Sequence, residues 1–151
     1  KINKQNNDIP TYDDSILVVH LRSGDAYKTF GIGSNDIKNE IQKKIEEYIA
    51  KYKTIKKILI ITALHYGHTN YPGLYCKNNV FPTKYSYKLS NHNDNIDAIY
   101  NFILEQKLPV SLRSCESIDE DFTILCTCKY LISCKGAFSQ LIIKINSLFN
   151  N

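Results

Sequence analysis

Nineteen basic residues are spread through this 151-residue chain, and only Arg22 and Arg113 among them are arginines. Lysine does the solvating here, so an arginine marks a place that needs a planar fork of donors, as a phosphate or carboxylate does. Arg22 lies in His20-Leu21-Arg22-Ser23-Gly24-Asp25, directly after the apolar run Ile16-Leu17-Val18-Val19. Such a run reads as a strand buried on both faces. Side chains alternate along a strand, so His20 and Arg22 share one face while Val19 and Leu21 take the other. Gly24 permits a tight turn and a close backbone approach to a ligand. Arg113 follows a second apolar segment, Pro109-Val110-Ser111-Leu112, and both arginines read as leaving strands. In an open α/β sheet that end faces the ligand crevice. The chemistry expected there is anion binding.

A second half for the anion site is Gly136-Ala137-Phe138-Ser139. It opens a helix whose free N–H groups and dipole suit a phosphate, with Ser139 adding a hydroxyl and Gly136 allowing close approach. Alone, the segment reads equally as an ordinary glycine turn with a serine cap; facing Arg22 across a crevice, it reads as the other jaw of a diphosphate clamp. No G-x-G-x-x-G follows the first strand and no G-K-[ST] occurs, which disfavours the common dinucleotide and P-loop modes. His20 is a candidate catalytic group, with a buried histidine bonded to backbone as the structural alternative. Asp25 either braces Arg22 or caps the following turn. Asp119-Glu120-Asp121 has the look of a metal-binding D-x-D cluster, but carboxylates in a helix's first turn are explained by its dipole. No metal or other cofactor is expected.

These residues need a scaffold, and strand and helix patterns alternate along the chain. After the first strand, Ile37, Ile41, Ile45, Tyr48, Ile49 and Tyr52 recur at helical spacing from 36 to 52, with Ser34 or Asn35 as cap. Residues 57–63 form a second apolar strand that exits into Leu64-His65-Tyr66-Gly67-His68. From 66 to 92 there is no period, and a connection this long reads as a functional loop, a lid or a small excursion. A helix from 95 to 106 is expected to bury Ile96, Ile99, Tyr100, Ile103 and Leu104. A short strand, 110–112, follows. Ser117-Ile118-Asp119-Glu120 has the form of a capping box that opens a helix with Phe122, Leu125 and Cys126 inward. A fourth strand, 130–133, leads to a last helix, 138–148, with Leu141, Ile142 and Ile145 on its core face. This alternation predicts an α/β fold, a Rossmann-like parallel sheet with flanking helices. All four strand exits then lie along one edge.

Residues 1–14 read as a linker or frayed terminus and 15–151 as one domain with its own core, consistent with 43% hydrophobic content. The net charge of +4 comes from scattered lysines without a basic stripe, so no nucleic-acid partner is expected. No apolar run reaches the roughly 20 residues a bilayer span needs, and the polar start is no signal peptide, so no membrane contact is expected in this segment. The chain contains no methionine and reads as a segment of a longer precursor. Five cysteines without paired C-x-x-C spacings read as buried free thiols. A reducing, cytoplasmic setting follows, with the Golgi lumen as the alternative if an upstream part carries a membrane anchor.

His20-Leu21-Arg22-Ser23-Gly24-Asp25 resembles the H-x-R-x-G-D motif of fucosyltransferases, especially the α-1,2 type. Asp119-Glu120-Asp121-Phe122, then Cys128-Lys129-Tyr130-Leu131-Ile132-Ser133, then Gly136-Ala137-Phe138-Ser139 resembles that family's carboxyl-terminal pattern in order and spacing. The resemblance implies the donor-binding, carboxyl-terminal half of a GT-B glycosyltransferase, with GDP-fucose or a similar nucleotide sugar as donor, a glycan as acceptor and no metal. By position it implies Arg22 on the diphosphate, Phe138 and Ser139 opposite, and Asp121 at the nucleotide end or bracing the site. Gly24, Asp25, Arg113 and Gly136 are further donor-binding candidates from their own chemistry and position at the strand exits, and His65 is another, with a merely solvated loop histidine as the alternative. Ser23 and Gln140-Leu141 depart from the α-1,2 pattern, which has a second arginine and tandem tryptophans there. The alternative is a non-catalytic sugar-nucleotide or glycan-binding module of the same fold.

Overall fold

The computed structural model describes residues 14–22, 27–62, 89–114 and 117–150. In chain order the elements are β1 (Ile16–His20), α1 (Tyr27–Phe30), α2 (Asn35–Lys51), β2 (Lys57–Thr62), α3 (Leu89–Leu104), β3 (Val110–Ser114), α4 (Ile118–Thr127), β4 (Tyr130–Ser133) and α5 (Ala137–Phe149). The four strands form one all-parallel sheet in the order β3-β2-β1-β4. This is the Rossmann-like α/β arrangement that the strand and helix alternation predicts.

The apolar runs explain why β1 and β2 are the inner strands. Leu17, Val19 and Leu21 face one core with Ile37, Ile41 and Ile45 of α2 and Ile99 and Phe102 of α3. Val18 faces the other with Leu59, Ile61, Ile124 and Leu125 of α4 and Ile142 of α5. The sheet is therefore the middle of three layers, and each fully buried aliphatic side chain contributes about 1.5–3 kcal/mol. Leu17→Ala, at a position with no exposed surface, would cost about 2–5 kcal/mol. The same alternation puts His20 on the α4/α5 side of the sheet.

The chain steps from β1 to β2 to β3 in one direction and returns as β4 on the other side of β1. The topological switch point thus falls between β1 and β4, where an open α/β sheet leaves a crevice at its carboxyl edge. Leu21 N–H donates to Ile61 O at 3.0 Å and Thr62 Oγ1 to Leu21 O at 2.9 Å, tying the exit of β1 to β2. Across the crevice, Cys134 N–H donates to His20 O at 3.1 Å.

Helix ends follow local chemistry. Ser117 caps α4 and its side chain accepts from Glu120 N–H at 3.4 Å, with Asp119, Glu120 and Asp121 in the first turn. Ser34 caps α2 by position alone, without a side-chain bond. α5 begins after Gly136, which has φ 117° and ψ 167° and provides no side-chain cap. Asn146 of α5 donates to Cys128 O at 2.7 Å, holding the end of α4 to α5.

Several expectations need correction. β3 runs on through Arg113 to Ser114, because Arg113 stays in register with Ile61 of β2; Arg113 is within a strand and does not exit one. α3 begins at Leu89, earlier than its apolar spacing suggests. Tyr100 and Leu104 of α3 are exposed, and Phe102 with Ile99 makes the buried contact instead. Leu141 is also exposed, since α5 follows the edge strand β4 and packs against α4 on only one flank. Cys126, Cys128 and Cys134 are buried free thiols, and burial pushes Cys128 up to about 12. Among the described residues no helix is long and apolar enough to cross a membrane.

Candidate functional site

At the switch point, the carboxyl end of β1 delivers His20 and then Arg22. His20 is 8% exposed, and its Nδ1 lies 2.9 Å from Ser133 Oγ at the end of β4 and 3.5 Å from Ser139 Oγ in α5. Burial first, and the Arg22 charge second, hold its imidazole down at about 4, so the ring is neutral at physiological pH. Beyond it, Arg22 lines a pocket of about 290 Å³ with Phe30, Lys135, Gly136, Ala137, Phe138 and Ser139.

The pocket floor is the start of α5. Its first intrahelical bond runs from Gln140 N–H to Gly136 O at 3.0 Å, so the N–H groups ahead of Gln140 are not used by the helix. They carry the positive end of the helix dipole toward the same space that Arg22 lines. Gly136 provides the turn: its φ and ψ fall in a region that is essentially glycine's alone. Phe138 forms one wall, its ring meeting His20 edge-on at 5.3 Å and Phe122 at 6.2 Å. Phe30 is a second aromatic wall, 45% exposed.

Ser139 is 2% exposed, and its hydroxyl turns inward, toward His20 Nδ1 and toward Lys135 O at 3.3 Å. Lys135 stands at the mouth, where Glu40 of α2 meets its ammonium at 3.1 Å and Lys44 at 2.7 Å. Hydrogen bonds from Lys44 and then Lys135 hold the Glu40 carboxyl below its ordinary range. Burial pushes the Cys134 thiol, next to Lys135 in the chain, up to about 11, so it is protonated at neutral pH.

Arg22, Gly136, Phe138 and Ser139 therefore come together, with His20 beneath them. Arg113 and Asp121 also come together, but elsewhere. Arg113 Nε pairs with Asp121 and its Nη2 with Glu120 at 2.6 Å, on β3, which β2 and β1 separate from β4. Gly24, Asp25, His65 and His68 lie outside the described residues. Among the described residues no group of three or more His, Cys, Asp or Glu is placed to hold a metal ion.

Comparison with known protein families, with curated proteins and with solved structures finds no match to this chain. What the pocket can do must be read from its own chemistry. A guanidinium, an ammonium and unused helix N–H groups around one small cavity suit a multiply charged oxyanion. The aromatic walls suit a ring or sugar face beside it.

Two contributors carry no signal in the sequence reading. Phe30 is a single aromatic before Gly31, outside any periodic segment, and only the fold brings it to the pocket. Ser133 is legible as the end of a strand, but its bond to His20 depends on β4 pairing with β1, a contact between residues 113 apart.

Proposed function

We propose that this chain is the donor-binding half of a fucosyltransferase-like glycosyltransferase, which takes GDP-fucose or a similar nucleotide sugar and passes the sugar to a glycan hydroxyl with inversion and without a metal. The observation that carries this reading is that Arg22 and the uncapped start of α5 line one pocket at the switch point between β1 and β4. The resemblance of residues 20–25 and 119–139 to the family's motifs supplies the substrate class.

In that reaction, breaking the glycosyl bond leaves negative charge on the departing diphosphate. A fixed guanidinium and preorganised N–H groups stabilise that charge more than they stabilise the intact donor, and one such donor is worth about 2.7–4 kcal/mol of barrier. Arg22 is the residue assigned this role, with the backbone of Ala137, Phe138 and Ser139 opposite. The carboxylates of Glu120 and Asp121 are answered by Arg113, which favours reading them as a helix start.

Calorimetric titration of GDP and GDP-fucose, with and without a chelator, tests the reading. Binding of both, unchanged by chelation, is expected. A chain that binds neither would sink the proposal, and binding that disappears on chelation would restore the D-x-D interpretation of Asp119 and Asp121.

A further inference from the structure

The least exposed polar side chains in the described structure are His20, Thr62 and Ser139, and two of these three meet each other. His20 belongs to β1, Ser133 to β4 and Ser139 to α5, so one imidazole nitrogen gathers hydroxyls from two other elements. The backbone repeats the tie, with Cys134 N–H on His20 O. The ring edge also abuts Phe138, in the first turn of α5.

We propose that His20 is a positioning residue: through Ser133 and Ser139 it seats the first turn of α5 against the carboxyl end of β1, and so sets where the helix N–H groups stand relative to Arg22. The functional part of this inference rests on the diphosphate reading above; the seating of the helix does not.

A proton-accepting role fits the same residue less well. The ring is nearly enclosed, its Nδ1 is engaged by Ser133, and burial together with the Arg22 charge disfavours its protonation. Among the described residues, Arg22 is the charged group acting on it, and the elements packed around it present Ser133, Ser139 and Phe138, none of which titrates. What the position needs is a fixed polar atom where Nδ1 stands. A leucine there would fill space but take the ring partner from Ser133 Oγ and leave the Ser139 hydroxyl tied to Lys135 O alone; an asparagine, whose short amide reaches a comparable point, would restore a polar partner for both.

The test compares the full chain with its His20→Leu and His20→Asn variants, each shown by circular dichroism to be folded. Two quantities are read: exchange of the Gln140 and Leu141 amides against those of Ile41 and Ile45 in α2, and affinity for GDP and inorganic pyrophosphate. In the leucine variant, exchange at the start of α5 is expected to rise about tenfold with α2 unchanged, and both affinities to fall about tenfold. The asparagine variant should restore each to within about threefold. The ring nitrogens of wild-type His20 should keep their chemical shifts between about pH 5.5 and 8.

Unchanged exchange at Gln140 and Leu141 in the leucine variant would overturn the proposal, as would a rise shared equally with α2, which marks a general loss of stability. A ring that titrates near its ordinary value would overturn it too. A wild-type chain that binds neither GDP nor pyrophosphate, while the exchange pattern holds, would refute the diphosphate reading and leave the seating of α5 supported.

Discussion

The two arginines of this protein stand at different places on the same sheet, Arg113 inside β3 and Arg22 past the end of β1. Arg113, on β3, is 16% exposed and enclosed by Asp121 and Glu120 from the first turn of α4. Arg22, past the end of β1, lines a pocket with Lys135 and the bare start of α5. One guanidinium is held by the carboxylates of the next helix, and the other stands beside an ammonium and a helix N-terminus. Scarcity of arginine marked both positions, but strand order decides between them. β1 borders the switch point, where a crevice opens, whereas β3 is an outer strand whose end is closed by the helix that follows.

If that contrast is right, Arg113 is a stability residue. Arg113→Met would leave Asp121, itself 17% exposed, without its guanidinium, and should cost about 1–3 kcal/mol, between the values for an exposed and a buried pair. Urea unfolding reads this directly, and GDP affinity of the folded protein should stay within about twofold. A stable Arg113→Met protein that binds GDP poorly would break the comparison.

The β1 side should reveal itself through pH. Unfolded His20 takes up a proton near 6.5 and folded His20 only near 4. Between those values the unfolded chain binds more protons, so stability falls as pH drops through the window and levels off below it. The ceiling on this contribution is about 3 kcal/mol, since one pKa unit is about 1.36 kcal/mol. The fall in melting temperature from pH 7 to 4 should therefore be steeper for wild type than for His20→Asn. Parallel curves would mean the imidazole is not held neutral by the fold.

Ligand binding sharpens the contrast further. Arg22→Lys keeps the charge but loses the fork, and losing one charge-assisted bond worth about 1.5–3 kcal/mol should weaken GDP binding tenfold or more. Normal binding by that variant would remove Arg22 from the site. The smallest effect belongs to Lys135, which is 60% exposed and already shared with Glu40. Lys135→Ala should weaken GDP binding by less than about threefold at physiological salt, and Glu40→Gln should strengthen it by no more than that. Equal losses for the Arg22 and Lys135 variants would mean that the pocket attracts anions by net charge alone.

Much of the fold was legible because β1, β2 and α2 bury or half-bury the apolar residues that their periods imply. Ile37, Ile41 and Ile45 are all buried, as helical spacing requires. The arrangement was less legible wherever it depends on distant partners. Nothing local in Val110-Ser111-Leu112 says that the strand continues through Arg113; the partner strand β2 extends it. Nothing in α5 says that Leu141 would face outward, because its neighbours are set by β4 being an edge. For the candidate site, Arg22 and Gly136 to Ser139 could be named from side-chain chemistry and glycine placement. Phe30 and the inward turn of the Ser139 hydroxyl could not, since both follow from packing across the switch point.

A methyl group added at Gly136 would meet nothing within 4 Å, yet the backbone there has φ 117°. The position thus selects by handedness and not by size: an L-alanine has the room it needs and the wrong mirror sense for the dihedral, a mismatch of about 1–3 kcal/mol. The chain could relieve it only by rotating the peptide that launches α5, swinging the helix's first N–H groups off the line toward Arg22. Shape complementarity alone would rate that position as tolerant, but its chirality makes it one of the least substitutable on the pocket wall.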